Sequence, residues 1–322
     1  MTPVGRLAIL GVGLIGSSFA LAVRRAGLAR EIAGCDSRSE ARRTALDRGI
    51  ADTVTADPAE AARGADVVVF ATPLSAYAGL AEAVAPELRP GTILTDVGSV
   101  KQSVIRDVSS FVPDGAHLVP GHPVAGTEKS GPEAGFPDLF ADRWTILTPP
   151  PGTDRAAVET VAALWRGVGA MVEEMDPRHH DRVLAVTSHL PHLIAYTIVS
   201  TASDLETADR QEVITFAAGG FRDFTRIAGS DPVMWRDIFL DNREAVLEIL
   251  QRFNEDITAL QRAIRWGEGE VLEERFRRGR EIRRDVIEAH QAGSFDPREP
   301  DQAATASPDP AEPGPAGSEP EA

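Results

Sequence analysis

The sequence predicts a doubly wound parallel α/β sheet domain followed by an all-α helical domain, and three observations predict it. Short apolar runs alternate with amphipathic stretches over residues 6–174, a glycine-rich turn directly follows the first run, and from Pro177 the apolar spacing changes to long helical periods with no further strand. Alternation at this spacing indicates crossover units, because parallel neighbours need a helix to return the chain to the same end of the sheet.

Strands are expected over residues 6–10, 31–35, 66–71, 92–97, 117–121 and 144–148, with helices over 15–26, 39–48, 74–88 and 100–111 between them. After the break at Pro149-Pro150-Pro151-Gly152, residues 156–167 read as a helix and 170–174 as a last short strand. Asp231 followed by Pro232 is a helix start, an N-cap residue with proline at the first helical position. Ile238, Phe239, Val246, Ile249, Leu250, Phe253, Ile257, Leu260 and Ile264 then recur at three- and four-residue spacing, and a second amphipathic helix is expected over 268–290. So wide a stripe needs apolar cover. A homodimer packed through these helices supplies it, and an intramolecular bundle is the alternative.

Composition narrows the function. With 322 residues and 43% hydrophobic side chains the chain can bury a sizeable core, and its net charge of -16 argues against nucleic acid or anionic membrane as a partner. A single cysteine, Cys35, allows no internal disulfide and no cysteine-rich metal site. The N-terminus carries no secretory pattern, no apolar run is expected to reach the length of a membrane span, and a cytoplasmic protein is expected. From Gly293 the chain has seven acids against one arginine and seven prolines, the composition of a tail that cannot bury enough surface to order itself.

Gly11-Val12-Gly13-Leu14-Ile15-Gly16 opens the first helix straight after the first strand, and Asp36 ends the second strand twenty residues after Gly16. The glycines permit a tight turn and close approach of a pyrophosphate to the helix N-terminus, while the carboxylate can accept hydrogen bonds from ribose hydroxyls. This is a Rossmann-type dinucleotide site, and Thr72 and Pro73, directly after the 66–71 strand, are assigned to it as well. Asp36 repels a 2′-phosphate and favours NAD over NADP; Arg38 could receive that phosphate if Asp36 turned away, or could be a solvent-exposed residue opening the next helix.

Further candidates lie on the strand ends that face the same crevice. Ser99, in Asp96-Val97-Gly98-Ser99-Val100-Lys101, and His122, in Gly121-His122-Pro123, are placed beside the nicotinamide, and a histidine can take a proton near neutral pH. In the helical domain His189 and His192 are three residues apart, but no cysteine or carboxylate completes a ligand set and no metal site is expected. Arg222 and Arg226 are four apart, and either could bind a carboxylate in bidentate fashion or pair with Asp223 or Asp231.

Together with His122-Pro123-Val124-Ala125-Gly126-Thr127-Glu128-Lys129-Ser130-Gly131, Ser188-His189-Leu190-Pro191-His192 and Phe221-Arg222-Asp223-Phe224-Thr225-Arg226-Ile227-Ala228, these motifs resemble the prephenate and arogenate (cyclohexadienyl) dehydrogenases of tyrosine biosynthesis, over residues 6–290. The resemblance implies oxidative decarboxylation of a ring substrate. It implies that His122 accepts the hydroxyl proton, that Ser99 orients His122 and the nicotinamide, and that Arg226 holds a carboxylate. His192 and His189 would shape the pocket, and Glu128 would sit at its mouth. The expected division is a dinucleotide-binding domain over 1–175, a helical substrate and dimerisation domain over 176–292 and the acidic tail over 293–322. With no mutase segment ahead of the first strand, the stand-alone form is expected. Related hydroxy-acid and imine dehydrogenases usually use a lysine in the helical domain; this chain has only Lys101 and Lys129, both in the first half.

Overall fold

The structure, a computed structural model, describes residues 2–204 and 219–288. Six strands form one parallel sheet: β1 (Val4–Leu10), β2 (Ala29–Cys35), β3 (Thr53–Thr55), β4 (Val67–Phe70), β5 (Ile93–Asp96) and β6 (His117–Val119), in the spatial order β3-β2-β1-β4-β5-β6. The strand order reverses between β1 and β4, so the crevice above the C-terminal ends of these strands is where a dinucleotide binds in such sheets. The intervening helices are α1 (Leu14–Arg25), α2 (Ser39–Asp47), α3 (Pro58–Ala62), α4 (Tyr77–Val84) and α5 (Lys101–Val108). Leu7 and Ile9 enter one core, with Phe19, Val23 and Trp165, while Ala8 and Leu10 enter another, with Phe70, Tyr77 and Val104. Burial on both faces explains why these strands read as continuous apolar runs.

The sheet departs from expectation in two places. Thr53–Thr55 is a three-residue edge strand beside β2, too short for an alternation to show in the sequence. The strand expected over 117–121 is two strands. Pro120 has no amide to donate and a fixed φ, so the ladder with β5 ends at Val119 and the chain passes into a second sheet. That sheet contains β7 (Gly121–Pro123), β8 (Trp144–Leu147) and β9 (Met171–Glu174), with β7 antiparallel to β8 and β9 parallel to it. α6 (Arg155–Gly167) connects β8 to β9 and carries Trp165, which is fully buried against Phe19 and Phe140 at ring-centroid distances of 4.3 and 5.1 Å.

The helical part begins with α7 (Pro177–Leu184), whose start is capped by Asp176. A π-helical turn (Ala185–His189) leads into α8 (Leu190–Ser203), and Pro191, which has no amide to donate, lies directly after that turn. This continuous helical stretch, Pro177–Ser203, is long and apolar enough by length and composition to cross a bilayer, which corrects the sequence expectation. It also carries the buried polar residues His180, Asp181 and His189, while residues 197–201 at its far end are exposed. α9 (Gly219–Thr225), α10 (Pro232–Asp241) and α11 (Arg243–Trp266) follow. Asp231 accepts hydrogen bonds from the amides of Val233 and Met234, the cap expected from the sequence. The apolar stripe beginning on α10 is broken at Asn242, whose side chain turns into the structure and makes hydrogen bonds there.

The described residues fall into two compact units, divided after Gln261. The second contains the end of α11 and α12 (Gly269–Glu288), an amphipathic helix with ion pairs from Arg277 to Glu274 and Glu281. The acidic tail lies outside the described residues.

Trp165→Ala should lower stability by about 3–5 kcal/mol through the cavity left between Phe19 and Phe140. Urea unfolding checks this; a loss below about 1 kcal/mol would mean that the α6 face is not packed as described.

Candidate active site

The glycine turn is built for a phosphate. Gly11 has φ 103°, and a Cβ there would meet the carbonyl of Ala71 at 2.5 Å and Thr72 at 2.9 Å, which also places Thr72, and Pro73 after it, beside the turn. Gly16 packs on the carbonyl of Gly11, whereas a Cβ on Gly13 would meet nothing within 4 Å. Gly13 is the N-cap of α1, no side chain caps the helix, and the first turn, Leu14-Ile15-Gly16, holds no acidic residue. Amide groups at a helix N-terminus with open space before them suit the pyrophosphate of a dinucleotide. Asp36, buried at the end of β2, fits the ribose of that group. Arg38 has not turned away from it: its amide donates to Asp36 Oδ1 at 2.9 Å and its guanidinium to both carboxylate oxygens at 3.2 and 3.4 Å. Arg42 clamps the carbonyls of Asp36 and Ser37, each at 2.8 Å.

Across the crevice, a buried ion pair organises the loops after β5 and β6. Lys101 Nζ lies 2.5 Å from Asp96 Oδ2 and donates to the carbonyl of Gly121, also at 2.5 Å. Asp96 accepts from the amide of Gly98 at 2.7 Å and that of Gly121 at 3.0 Å, with the Tyr77 hydroxyl at 3.5 Å. One carboxylate therefore fixes the residues immediately before Ser99 and before His122. Burial pulls the Lys101 ammonium below its usual range and Asp96 opposes that shift; burial, reinforced by Asp96, raises the Tyr77 hydroxyl.

His122 lies on β7 itself and is 8% exposed. Its Nδ1 is 2.9 Å from His180 Nε2, and His180 Nδ1 is 2.8 Å from Asp181 Oδ1. Asp181 in turn accepts from the amides of Lys101 at 2.7 Å and Gln102 at 3.0 Å, at the start of α5. Ser99 makes no hydrogen bond among the described residues, so the group that contacts the His122 ring in this structure is His180, which the sequence reading passed over. Burial holds His122 well below the usual histidine range, with the charges of His180, Lys101 and His189 adding to the effect, and burial also lowers His180. For Asp181, hydrogen bonds from His180 and the two amides outweigh the burial that would raise it, and it stays ionised. A neutral pair of rings ending on a carboxylate has one consistent arrangement of protons: His180 donates from Nδ1 to Asp181, His122 donates from Nδ1 to His180 Nε2, and His122 Nε2 keeps a lone pair.

His189 is fully buried on the π turn; its Nδ1 is 3.1 Å from Asn242 Nδ2, which also donates to the Asp181 carbonyl at 2.8 Å. His192 stacks on Trp235 with centroids 3.7 Å apart, and burial lowers its pKa, with the charge of Arg226 acting in the same direction. Arg226 donates to Glu128 at 3.2 Å, and neither Asp223 nor Asp231 is its partner. Arg222 is exposed on α9. The site candidates thus fall into three neighbouring groups: the glycine turn with Asp36, Arg38 and Thr72; the His122 cluster; and a half-exposed set of Arg226, Glu128 and His192. No group of three or more metal-ligating side chains occurs among the described residues.

A dinucleotide cradle at a switch point, with a neutral buried histidine on the strand that leaves the same crevice, defines a dehydrogenase of the nicotinamide class. Residues 19–174 match the family model for the prephenate dehydrogenase nucleotide-binding domain, and residues 176–278 match that for the prephenate dehydrogenase dimerization domain. The chain is 40% identical over 283 residues to the cyclohexadienyl dehydrogenase of Zymomonas mobilis, covering 88% of this chain and 96% of that one. It is 37% identical over 290 residues to the prephenate dehydrogenase of Bacillus subtilis, covering 89% and 77%. Its fold matches the Aquifex aeolicus prephenate dehydrogenase solved with hydroxyphenyl propionate and NAD+, with a TM-score of 0.81, 36% identity and coverage of 88% and 98%. The chain belongs to the prephenate dehydrogenase family.

Lys101→Met should leave Asp96 buried without a counter-charge and cost about 3–5 kcal/mol, and adding Asp96→Asn should restore much of that loss. Urea midpoints of the single and double variants check it, and a single variant as stable as the native chain would refute the ion pair. His189, held at about 4 by burial against a usual 6.5, is neutral in the folded chain where the unfolded chain already binds a proton. Stability is therefore unaffected by this group above pH 6.5 and lost as pH falls toward 4, by roughly 3 kcal/mol. The change in unfolding free energy between pH 7 and pH 5 should be smaller in His189→Gln than in the native chain; equal changes would refute it.

Proposed function

We propose that the chain is an NAD-dependent prephenate dehydrogenase, catalysing oxidative decarboxylation of prephenate to 4-hydroxyphenylpyruvate and CO2 in tyrosine biosynthesis. The observation that carries this reading is His122: a buried, neutral imidazole whose Nδ1 is engaged by His180, leaving Nε2 to accept the proton of the ring hydroxyl. Bound NAD supplies the hydride acceptor. Ser99, between the fixed Gly98 and the start of α5, lies at the nicotinamide edge of the crevice, and Arg226 exchanges Glu128 for a substrate carboxylate. His192 and His189 shape the pocket, and Glu128 stands at its mouth. The charge on Asp36 disfavours a 2′-phosphate, and the engagement of Arg38 by that carboxylate supports NAD over NADP.

The proposed division is dinucleotide binding over 1–175, substrate binding and dimerisation over 176–292, and an acidic tail over 293–322. Val199, Leu240, Leu247 and Ile257 are exposed apolar residues on α8, α10 and α11, and a homodimer through the helical part would cover such residues.

Initial rates with prephenate or arogenate, each crossed with NAD or NADP, test the reading. Prephenate with NAD should be fastest, and His122→Asn should lower kcat by about 10²–10⁴-fold with the KM for prephenate within a few-fold. A higher kcat/KM with arogenate would reassign the substrate to the alanyl analogue; an unaltered rate in His122→Asn would remove the base.

A further inference from the structure

The assigned reaction has a proton balance that the buried chain behind His122 matches. This inference rests on the function proposed above. Breaking the ring O–H bond leaves its electron pair on oxygen as the C–O bond becomes a carbonyl, and the ring gives up a hydride to the nicotinamide. The C–CO2 bond then breaks, its electron pair enters the ring, and the oxygen becomes a phenolate that must regain a proton. Prephenate dianion and NAD+ give the hydroxyphenylpyruvate anion, CO2 and NADH with no net proton released. The base must therefore hold one proton while the ring is oxidised and return it to the same oxygen. It does not need a path to water.

The groups behind His122 offer none. His180 is 0% exposed and Asp181 1%, and the Asp181 carboxylate ends on the backbone amides of Lys101 and Gln102 and on the side-chain amide of Gln102 at 3.2 Å, all of which donate and cannot take a proton, although Gln102 itself is exposed. We propose that His180 and Asp181 make His122 a closed proton reservoir: His122 takes the hydroxyl proton at Nε2, shares its Nδ1 proton with His180 Nε2 across 2.9 Å, and reverses both shifts when the phenolate forms. Sharing moves part of the positive charge onto the ring whose Nδ1 lies 2.8 Å from Asp181. The charged and titratable groups around the two rings are Asp181 on α7, His189 on the π turn, Lys101 on α5 and Asp96 on β5. Asp181 alone can offset a cation on His180 directly, since Asp96 is already engaged by Lys101. His180 is thus a positioning residue that acts through His122.

The test uses two variants that split the His180 contacts. In His180→Asn the amide can replace Nδ1 toward Asp181 but does not reach His122; in His180→Gln the amide oxygen can replace Nε2 toward His122 but the Asp181 contact is lost. Asparagine should lower kcat about 100-fold with KM for prephenate within about twofold, and glutamine should recover about tenfold of that loss by restoring orientation alone. Either variant within threefold of native kcat would overturn the proposal, provided the variants melt as folded proteins. Nitrogen-15 spectra of the free native protein give an independent readout, with His122 and His180 both protonated at Nδ1 and not at Nε2. A His122 protonated at Nε2 overturns the reservoir. This spectrum needs neither substrate nor cofactor: a native protein inactive on prephenate and arogenate but showing these tautomers would sink the assigned reaction and leave the proton arrangement standing.

Discussion

The buried pair of Asp96 and Lys101 is the interaction on which the site depends. Two charges removed from water are costly, and such a pair is tolerated only when its remaining hydrogen-bonding capacity is filled. Here it is filled by backbone: Gly98 and Gly121 donate to Asp96, and Lys101 donates back to Gly121. The consequence is geometric more than energetic. β7 belongs to a different sheet from β5, so no ladder fixes the distance between Ser99 and His122; the ion pair does, by gripping the residue before each. Gly121 is also closely packed, because a Cβ there would sit 3.1 Å from the carbonyl of Asp96.

A second constraint joins the helical part to this frame. Asp181 lies on α7 but accepts from the first amides of α5, so it serves at once as a cap on one helix and as the terminus of the His122 hydrogen-bond chain. The base comes from the sheet part and its polar partner from the helical part. Residues that seem to belong to separate segments in the sequence therefore act on one ring.

That division explains what the sequence disclosed. The glycine turn, Asp36 and the Asp231 cap are local features whose residue types and spacing are dictated within a few positions, and each could be read directly. Thr53–Thr55 could not, because three residues hold no period. The break at Pro120 was visible as a proline, yet its effect, a change of sheet, depends on where β8 lies. His180 was masked by its neighbour His179 and by distance from the Ser188-His189-Leu190-Pro191-His192 motif; its pairing with His122 spans 58 positions and has no sequence signature. One signal was available. Asn242 interrupts an apolar stripe, and a polar residue at a core position implies buried partners, which proved to be His189 and Asp181.

The π turn supplies the last step. His180 and His189 are nine residues apart, and at 3.6 residues per turn an unbroken α-helix would place them about 180° apart, on opposite faces. A π turn absorbs one extra residue, which leaves about eight α-helical steps and brings the two within about 80°. Asn242 ties the two turns together, since one amide nitrogen reaches the backbone carbonyl of Asp181 and the His189 ring. Helices adopt this wider turn at a cost in hydrogen-bond geometry, and here the gain is specific: the chain from His122 to Asp181 acquires a wall in His189 that is neutral and buried. A helix without the turn would direct His189 away from the site and leave Asn242 without that partner, so the irregularity belongs to the same design as the ion pair that fixes Gly121.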